Sequence, residues 1–104
     1  NYHMKDYINK SVKANWIEGI QTWTGNLVFK NDSVIFKANS INGVMMLHLI
    51  RYDDIISVEL KKTFSIFPNA IVIKTKQCKK YYYVVPNRKD IVSFLKSKIV
   101  KEGE

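Results

Sequence analysis

The chain has 104 residues, the length of one domain able to bury a core without disulfides or a structural metal. It is 46% hydrophobic and 25% charged with a formal net charge of +8, and no apolar run approaches the ~18 residues a membrane-spanning helix needs. Cys78 is the single cysteine and no Cys/His cluster has zinc-ligand spacing, so neither disulfide, metal nor cofactor is expected, and the default setting is cytoplasmic, peripheral at most to a membrane.

The charge is concentrated. Between Leu60 and Lys89 stand Lys61, Lys62, Lys74, Lys76, Lys79, Lys80, Arg88 and Lys89 and no acid, while the other nine basic residues are matched by all nine acids. One segment thus carries the whole excess, a polarised field suited to lipid head groups, an acidic protein surface or nucleic acid. Ordinary solvated strands in a lysine-rich protein would give the same composition.

In chain order, residues 1–10 read as a lead-in without the apolar core of ~7 or more residues that a signal peptide carries, and 1–3 as a cloning remnant if Met4 is the natural start. Residues 11–101 read as the single domain and 102–104 as a tail. Imperfect alternation predicts a first strand over Lys13 to Gln21, turning at Thr22-Trp23-Thr24-Gly25. Asn26 to Lys30 and Ser33 to Lys37 are β-branched and aromatic runs joined by Asn31-Asp32, residues that tolerate a tight turn. That hairpin sets Phe29 opposite Val34 and Leu27 opposite Phe36 on one face, with Val28 and Ile35 on the other.

Val44 to Arg51 reads as a strand too short for a buried helix, and the histidine inside it, His48, as structural, since no second ligand stands at metal spacing. Tyr52-Asp53-Asp54 forms a corner before a strand over Ile55 to Leu60, its adjacent carboxylates pointing apart as turn residues do. In the last hairpin, Ala70 to Val85, an even-numbered turn at Gln77-Cys78 pairs Lys76 with Lys79 and Ile73 with Tyr82. Ile71, Ile73, Tyr82 and Val84 then face the core, and Val72, Lys74, Lys76, Lys79, Tyr81 and Tyr83 face outward. Lysines edging a sheet either await an anion or guard against aggregation. Asn87 and Asp90 start an amphipathic helix whose stripe of Ile91, Val92, Phe94, Leu95 and Ile99 closes the core.

The order of these motifs carries a resemblance. Gly25-x-Leu27-x-Phe29-x-Asn31, Val34-Ile35-Phe36, Ile50-Arg51-Tyr52-Asp53-Asp54-Ile55-x-x-Val58, Ile71-x-Ile73-x-Thr75 and Asn87-Arg88-x-x-Ile91-x-x-Phe94-Leu95 resemble the GRAM-type branch of the pleckstrin-homology-like superfamily from about Trp16 to Ile99. The resemblance implies a mainly β fold of about seven strands, two near-orthogonal antiparallel sheets capped by the C-terminal helix, in a module that binds membrane lipids or proteins and is rarely catalytic. The basic phosphoinositide signature across the first strand pair is missing, because the turn expected at Thr22 to Gly25 is uncharged.

Two contact sets follow. Lys61, Lys62, Phe64, Ile66 and Phe67 combine cations with apolar anchors for a membrane or partner, unless the phenylalanines fold back over the barrel. Lys74, Lys76, Lys79, Lys80, Tyr81 and Tyr83 make an anion-binding face, with single-stranded nucleic acid as the alternative ligand. The two lie at opposite ends of one strand, roughly 25 Å apart at ~3.3 Å per residue. No nucleophile–base pair, phosphate loop or metal cluster suggests an enzyme, and oligomeric state is not encoded legibly.

Overall fold

The computed structural model describes residues 6–39, 46–61 and 70–100. Seven antiparallel strands are followed by one helix: β1 Ser11–Glu18, β2 Gln21–Phe29, β3 Ser33–Ala38, β4 Leu47–Arg51, β5 Ile55–Lys61, β6 Ala70–Thr75, β7 Lys80–Val84 and α1 Arg88–Val100. A 3₁₀ turn at Tyr52–Asp54 links β4 to β5. The strand order is β4-β3-β2-β1-β7-β6-β5, so the two expected sheets are joined into one hydrogen-bonded surface through β1 and β7.

The first turn lies elsewhere than the sequence suggests. β1 and β2 pair from Ser11↔Val28 to Glu18↔Gln21, leaving Gly19 and Ile20 as the two-residue connection, with Gly19 at φ 61° and Ile20 fully exposed at the tip. Thr22 to Gly25 belong to β2. Gly25 misled because it marks a close approach: a Cβ there would lie 2.1 Å from the Lys37 carbonyl oxygen of the paired strand.

The second hairpin follows its side-chain pattern. Phe29↔Val34 and Leu27↔Phe36 pair, all four are wholly buried, and Val28 and Ile35 share the opposite face. β4 is the strand expected in that region, and Val44 and Met45 lie outside the described residues. Tyr52 anchors the corner, its hydroxyl donating to the Lys30 carbonyl at 2.8 Å and its N–H to the Asp32 carbonyl at 3.0 Å.

The last hairpin is one residue out of the expected register. Its connection is three residues long, with the Thr75 N–H donating to the Lys79 carbonyl at 2.9 Å and Cys78 at φ 66°, the left-handed position of a bulged turn. An odd loop reverses side-chain parity. Ile71 therefore pairs with Tyr83 and Ile73 with Tyr81, placing both tyrosines on the inner face, whereas Lys74↔Lys80 and Val72↔Tyr82 face outward. Tyr83 is wholly buried, so the outward face expected to hold it holds Tyr82 instead.

Helix α1 begins after Asn87, whose φ of 49° turns the chain and whose carbonyl accepts from the Ile91 N–H at 3.2 Å. Ile91, Val92, Phe94 and Leu95 are buried and Ile99 packs at the margin, the stripe the spacing predicts. Each fully buried side chain of this size contributes roughly 1.5–3 kcal/mol. The stripe meets β5 and the 3₁₀ turn, and Phe94 stands edge-on to Phe29 at 5.5 Å and to Tyr7 at 5.6 Å. Tyr7, in the lead-in, is thereby part of the core, and the Asn9 N–H donates to the Phe29 carbonyl at 2.6 Å.

Gly25→Ala is expected to destabilise the domain by at least about 2 kcal/mol in chemical denaturation, because backbone rather than a flexible side chain occupies the space. Cys78→Gly acts oppositely: relief of the left-handed penalty, about 1–2 kcal/mol, exceeds the entropic cost of glycine, about 0.5–1 kcal/mol, and leaves a gain near 1 kcal/mol.

Candidate functional site

Antiparallel alternation assembles a cationic face on the outer surface of β5, β6 and β7. Ser57↔Lys74↔Lys80 form one row, Glu59↔Val72↔Tyr82 the next, and Lys61↔Ala70↔Val84 the third. Ser57, Glu59, Lys61, Val72, Lys74, Lys80 and Tyr82 line a small concavity of about 130 Å³ on this face. Three lysines thus surround one carboxylate and one half-buried phenol ring. Lys74 and Lys80 are direct cross-strand neighbours, a like-charge pair that destabilises a sheet unless an anion offsets it. Beside it, Arg88 Nη1 donates to the carbonyls of Lys61 and Ala70, each at 3.4 Å, pinning the helix start to the ends of β5 and β6.

The expected sites are therefore redistributed. Lys74 and Lys80 share the outer face with Lys61, which had been assigned to the other set. Lys76 and Lys79 are exposed in and beside the β6–β7 turn, where the Lys76 N–H donates to the Asp54 carbonyl at 2.8 Å. Tyr81 and Tyr83 point inward. Lys62, Phe64, Ile66 and Phe67 lie outside the described residues. Ser57, Glu59 and Tyr82 are lining residues the sequence reading did not single out for this face, Tyr82 having been assigned to the core, and an odd-length turn was the signal that would have found Tyr82.

Inside the sheet, the tyrosines build an aromatic cluster around His48. Its Nδ1 is 3.0 Å from the Tyr83 hydroxyl, the Trp16 ring is edge-on at 4.3 Å, and Tyr81 and Phe36 stand at 5.2 and 5.6 Å. Burial drives the Tyr83 hydroxyl well above the usual phenol range, so it stays protonated, and it shares a hydrogen bond with a neutral His48 whose direction follows the imidazole tautomer. Trp16 and Trp23 are cross-strand partners with ring centroids 6.1 Å apart. At the cluster's rim, Lys79 Nζ lies 5.9 Å over the Tyr81 ring, an arrangement worth about 0.5–1 kcal/mol at an exposed site. A groove of about 240 Å³ runs between the end of β1 and the start of β7, lined by Trp16, Ile17, Glu18, Gly19, Lys79, Lys80, Tyr81 and Tyr82. Among the described residues no group of three or more His, Cys, Asp or Glu side chains could hold a metal ion.

His48 titrates below its ordinary value because burial and then the Lys79 charge oppose protonation, Glu18 acting weakly the other way. Its neutral form is favoured by folding, so this contribution to stability is complete above pH ~6.5 and is lost as pH falls through the lowered folded value. Thermal melts of the wild type are expected to lose stability on acidification below pH ~6.5 more steeply than those of His48→Phe, which has no imidazole to protonate. Equal slopes would contradict the assignment.

No family model matches the sequence, and no curated protein matches it. Solved structures do. The C-terminal domain of an unknown protein from Leishmania infantum superposes with a TM-score of 0.72 at 23% identity, over 89% of this chain and 84% of that one. Inner Membrane Complex Sub-compartment Protein 3 from Toxoplasma gondii gives 0.68 at 17% identity over 90% and 77% of the two chains. The Slm1-PH domain, solved in complex with phosphoserine, gives 0.61 at 11% identity over 91% and 95%. At these identities the likeness is one of fold. With its seven antiparallel strands and the C-terminal helix packed upon them, the chain has a pleckstrin-homology-like fold.

Proposed function

We propose that this domain is a non-catalytic binding module that docks on an anionic membrane surface through Lys61, Lys74 and Lys80 around Tyr82. The observation that carries the reading is the Lys74↔Lys80 pair, two cations held opposite each other on adjacent strands with a third, Lys61, at the far end of the same face. Such a cluster gains from an anion, and each lysine near an anionic bilayer contributes ~1 kcal/mol. Half-buried Tyr82 offers an amphipathic ring at the level of the head groups. The concavity is small and contains Glu59, which suits a diffuse field of lipid head groups better than a stereospecific headgroup pocket. By sequence, the segment that follows Lys61 supplies the apolar residues Phe64, Ile66 and Phe67 next to Lys62.

Two of the similar structures are compatible with this reading. One is named for a compartment of an inner membrane complex, and the other binds a phosphate-bearing amino acid. Within the pleckstrin-homology-like fold, the GRAM branch remains the assignment the sequence motifs favour. The nucleic-acid alternative needs aromatic platforms interleaved with lysines, and burial of Tyr83 with inward placement of Tyr81 leaves the outer lysines only Tyr82.

Sedimentation with phosphatidylserine-containing vesicles is expected to show binding that weakens with salt, and phosphatidylcholine vesicles alone are expected to bind little. The Lys61→Ala/Lys74→Ala/Lys80→Ala variant loses about 3 kcal/mol, a roughly 100-fold weakening. Equal binding by variant and wild type, or binding indifferent to lipid charge, would sink the proposal.

A further inference from the structure

The outer face of the other half of the sheet carries a second surface, independent of the lysine face. The pairing aligns Lys13, Asn26, Lys37 and Leu47 in one row across β1 to β4, and Ser11, Val28, Ile35 and Leu49 in the next. Leu47 and Leu49 are 53% and 58% exposed, and the half-buried Val28 and Ile35 continue the apolar ground behind Leu49. The charged residues at outward positions of these four strands are Lys13, Lys37 and Arg51, all cationic, with Asp32 and Asp53 in the adjoining turns.

β4 is also an edge. It pairs with β3 on one side, and among the described residues no backbone hydrogen bond joins its other side to a neighbour. Natural edges are usually blunted by a mid-strand lysine, a proline or a bulge, whereas β4 presents leucine, histidine, leucine and isoleucine before its terminal arginine. An edge of this kind takes an extended segment, whose backbone supplies hydrogen bonds and whose alternate side chains lie beside those of the host strand. A lipid surface cannot supply those hydrogen bonds. A second copy of this chain would bring its own Lys37 and Arg51 to the same seam, a repulsive arrangement.

We infer that β4 is a docking edge for an acidic protein segment that adds to the sheet as an eighth strand. Its outward side chains are apolar where they neighbour Leu47 and Leu49 and acidic where they neighbour Arg51 and reach Lys37. β3 and β6 lie four places apart in the strand order, and their inner side chains share one core. Their outer faces consequently point away from each other, and the segment on β4 leaves the lysine face free.

The test is selection of a displayed random-peptide library on the immobilised domain, followed by anisotropy titration of the selected peptides. Enrichment of acidic sequences with apolar residues at alternate positions is expected. Their affinity should fall at least tenfold on Leu49→Lys, while Lys61→Ala/Lys74→Ala/Lys80→Ala leaves it unchanged. Folding of Leu49→Lys, verified by its circular dichroism, separates loss of docking from loss of structure, and Leu47→Lys serves as the second variant. No enrichment, enrichment without acids, or affinity insensitive to both leucines would overturn the inference. A concentration-dependent dimer in sedimentation velocity, broken by Leu49→Lys, would give the edge to a second copy and overturn it as well.

Discussion

The three-residue pairing of Asn15, Trp16 and Ile17 with Val84, Tyr83 and Tyr82 is the join on which the domain depends. It is the backbone ladder, among the described residues, between the strands that precede the corner at Tyr52 and those that follow it. Its two faces do different things. Inward, it sets Tyr83 beside the His48 that β4 supplies; outward, it sets Tyr82 at the margin of the lysine rows. Such a short seam, made between segments far apart in sequence, is stable only if both halves share a core, and helix α1 provides the closure by packing Phe94 against Phe29 and Tyr7 from one side of the chain and its stripe against β5 from the other.

That division of faces explains how one small β domain presents several chemistries on its surface. The interior is committed to packing, including its histidine, whose hydrogen bond to Tyr83 satisfies a polar group that would otherwise be costly to bury. The outer surface is where charge and exposed apolar area remain, and the antiparallel register sorts them. Three lysines collect over β5 to β7, and two leucines beside cations collect along β4. The fold places these surfaces on different sides of the sheet, so occupation of one leaves the other accessible.

Much of the architecture was legible in the sequence because it depends on local periodicity. Alternation in Leu27 to Phe36 specifies its own hairpin, since a slip of one residue would turn Leu27 and Phe29 to the face opposite Val34 and Phe36. The 3.6-residue stripe from Ile91 to Ile99 specifies a helix with one apolar face, and the linear order of these elements carried the resemblance to the pleckstrin-homology-like superfamily. Glycine misdirected the first turn because the residue serves both turns and close backbone approaches, and Gly25 is the second case.

What the sequence by itself determined was the content and sequence of the elements, the core residues of the β2–β3 hairpin, of β6 and of the helix, and the confinement of the positive excess to one segment. Tertiary structure decided which side chains of that segment meet. Whether Tyr81, Tyr82 or Tyr83 lies with the lysines turns on the count of residues in the β6–β7 connection, and Cys78 in a left-handed conformation makes that count odd. The cost of that conformation is small beside the gain of burying Tyr83 with Ile71 and Ile73. The same holds for β4: that its leucines stand on the terminal strand of the sheet beside Lys37 follows from strand order, a consequence of long-range pairing that no local pattern encodes.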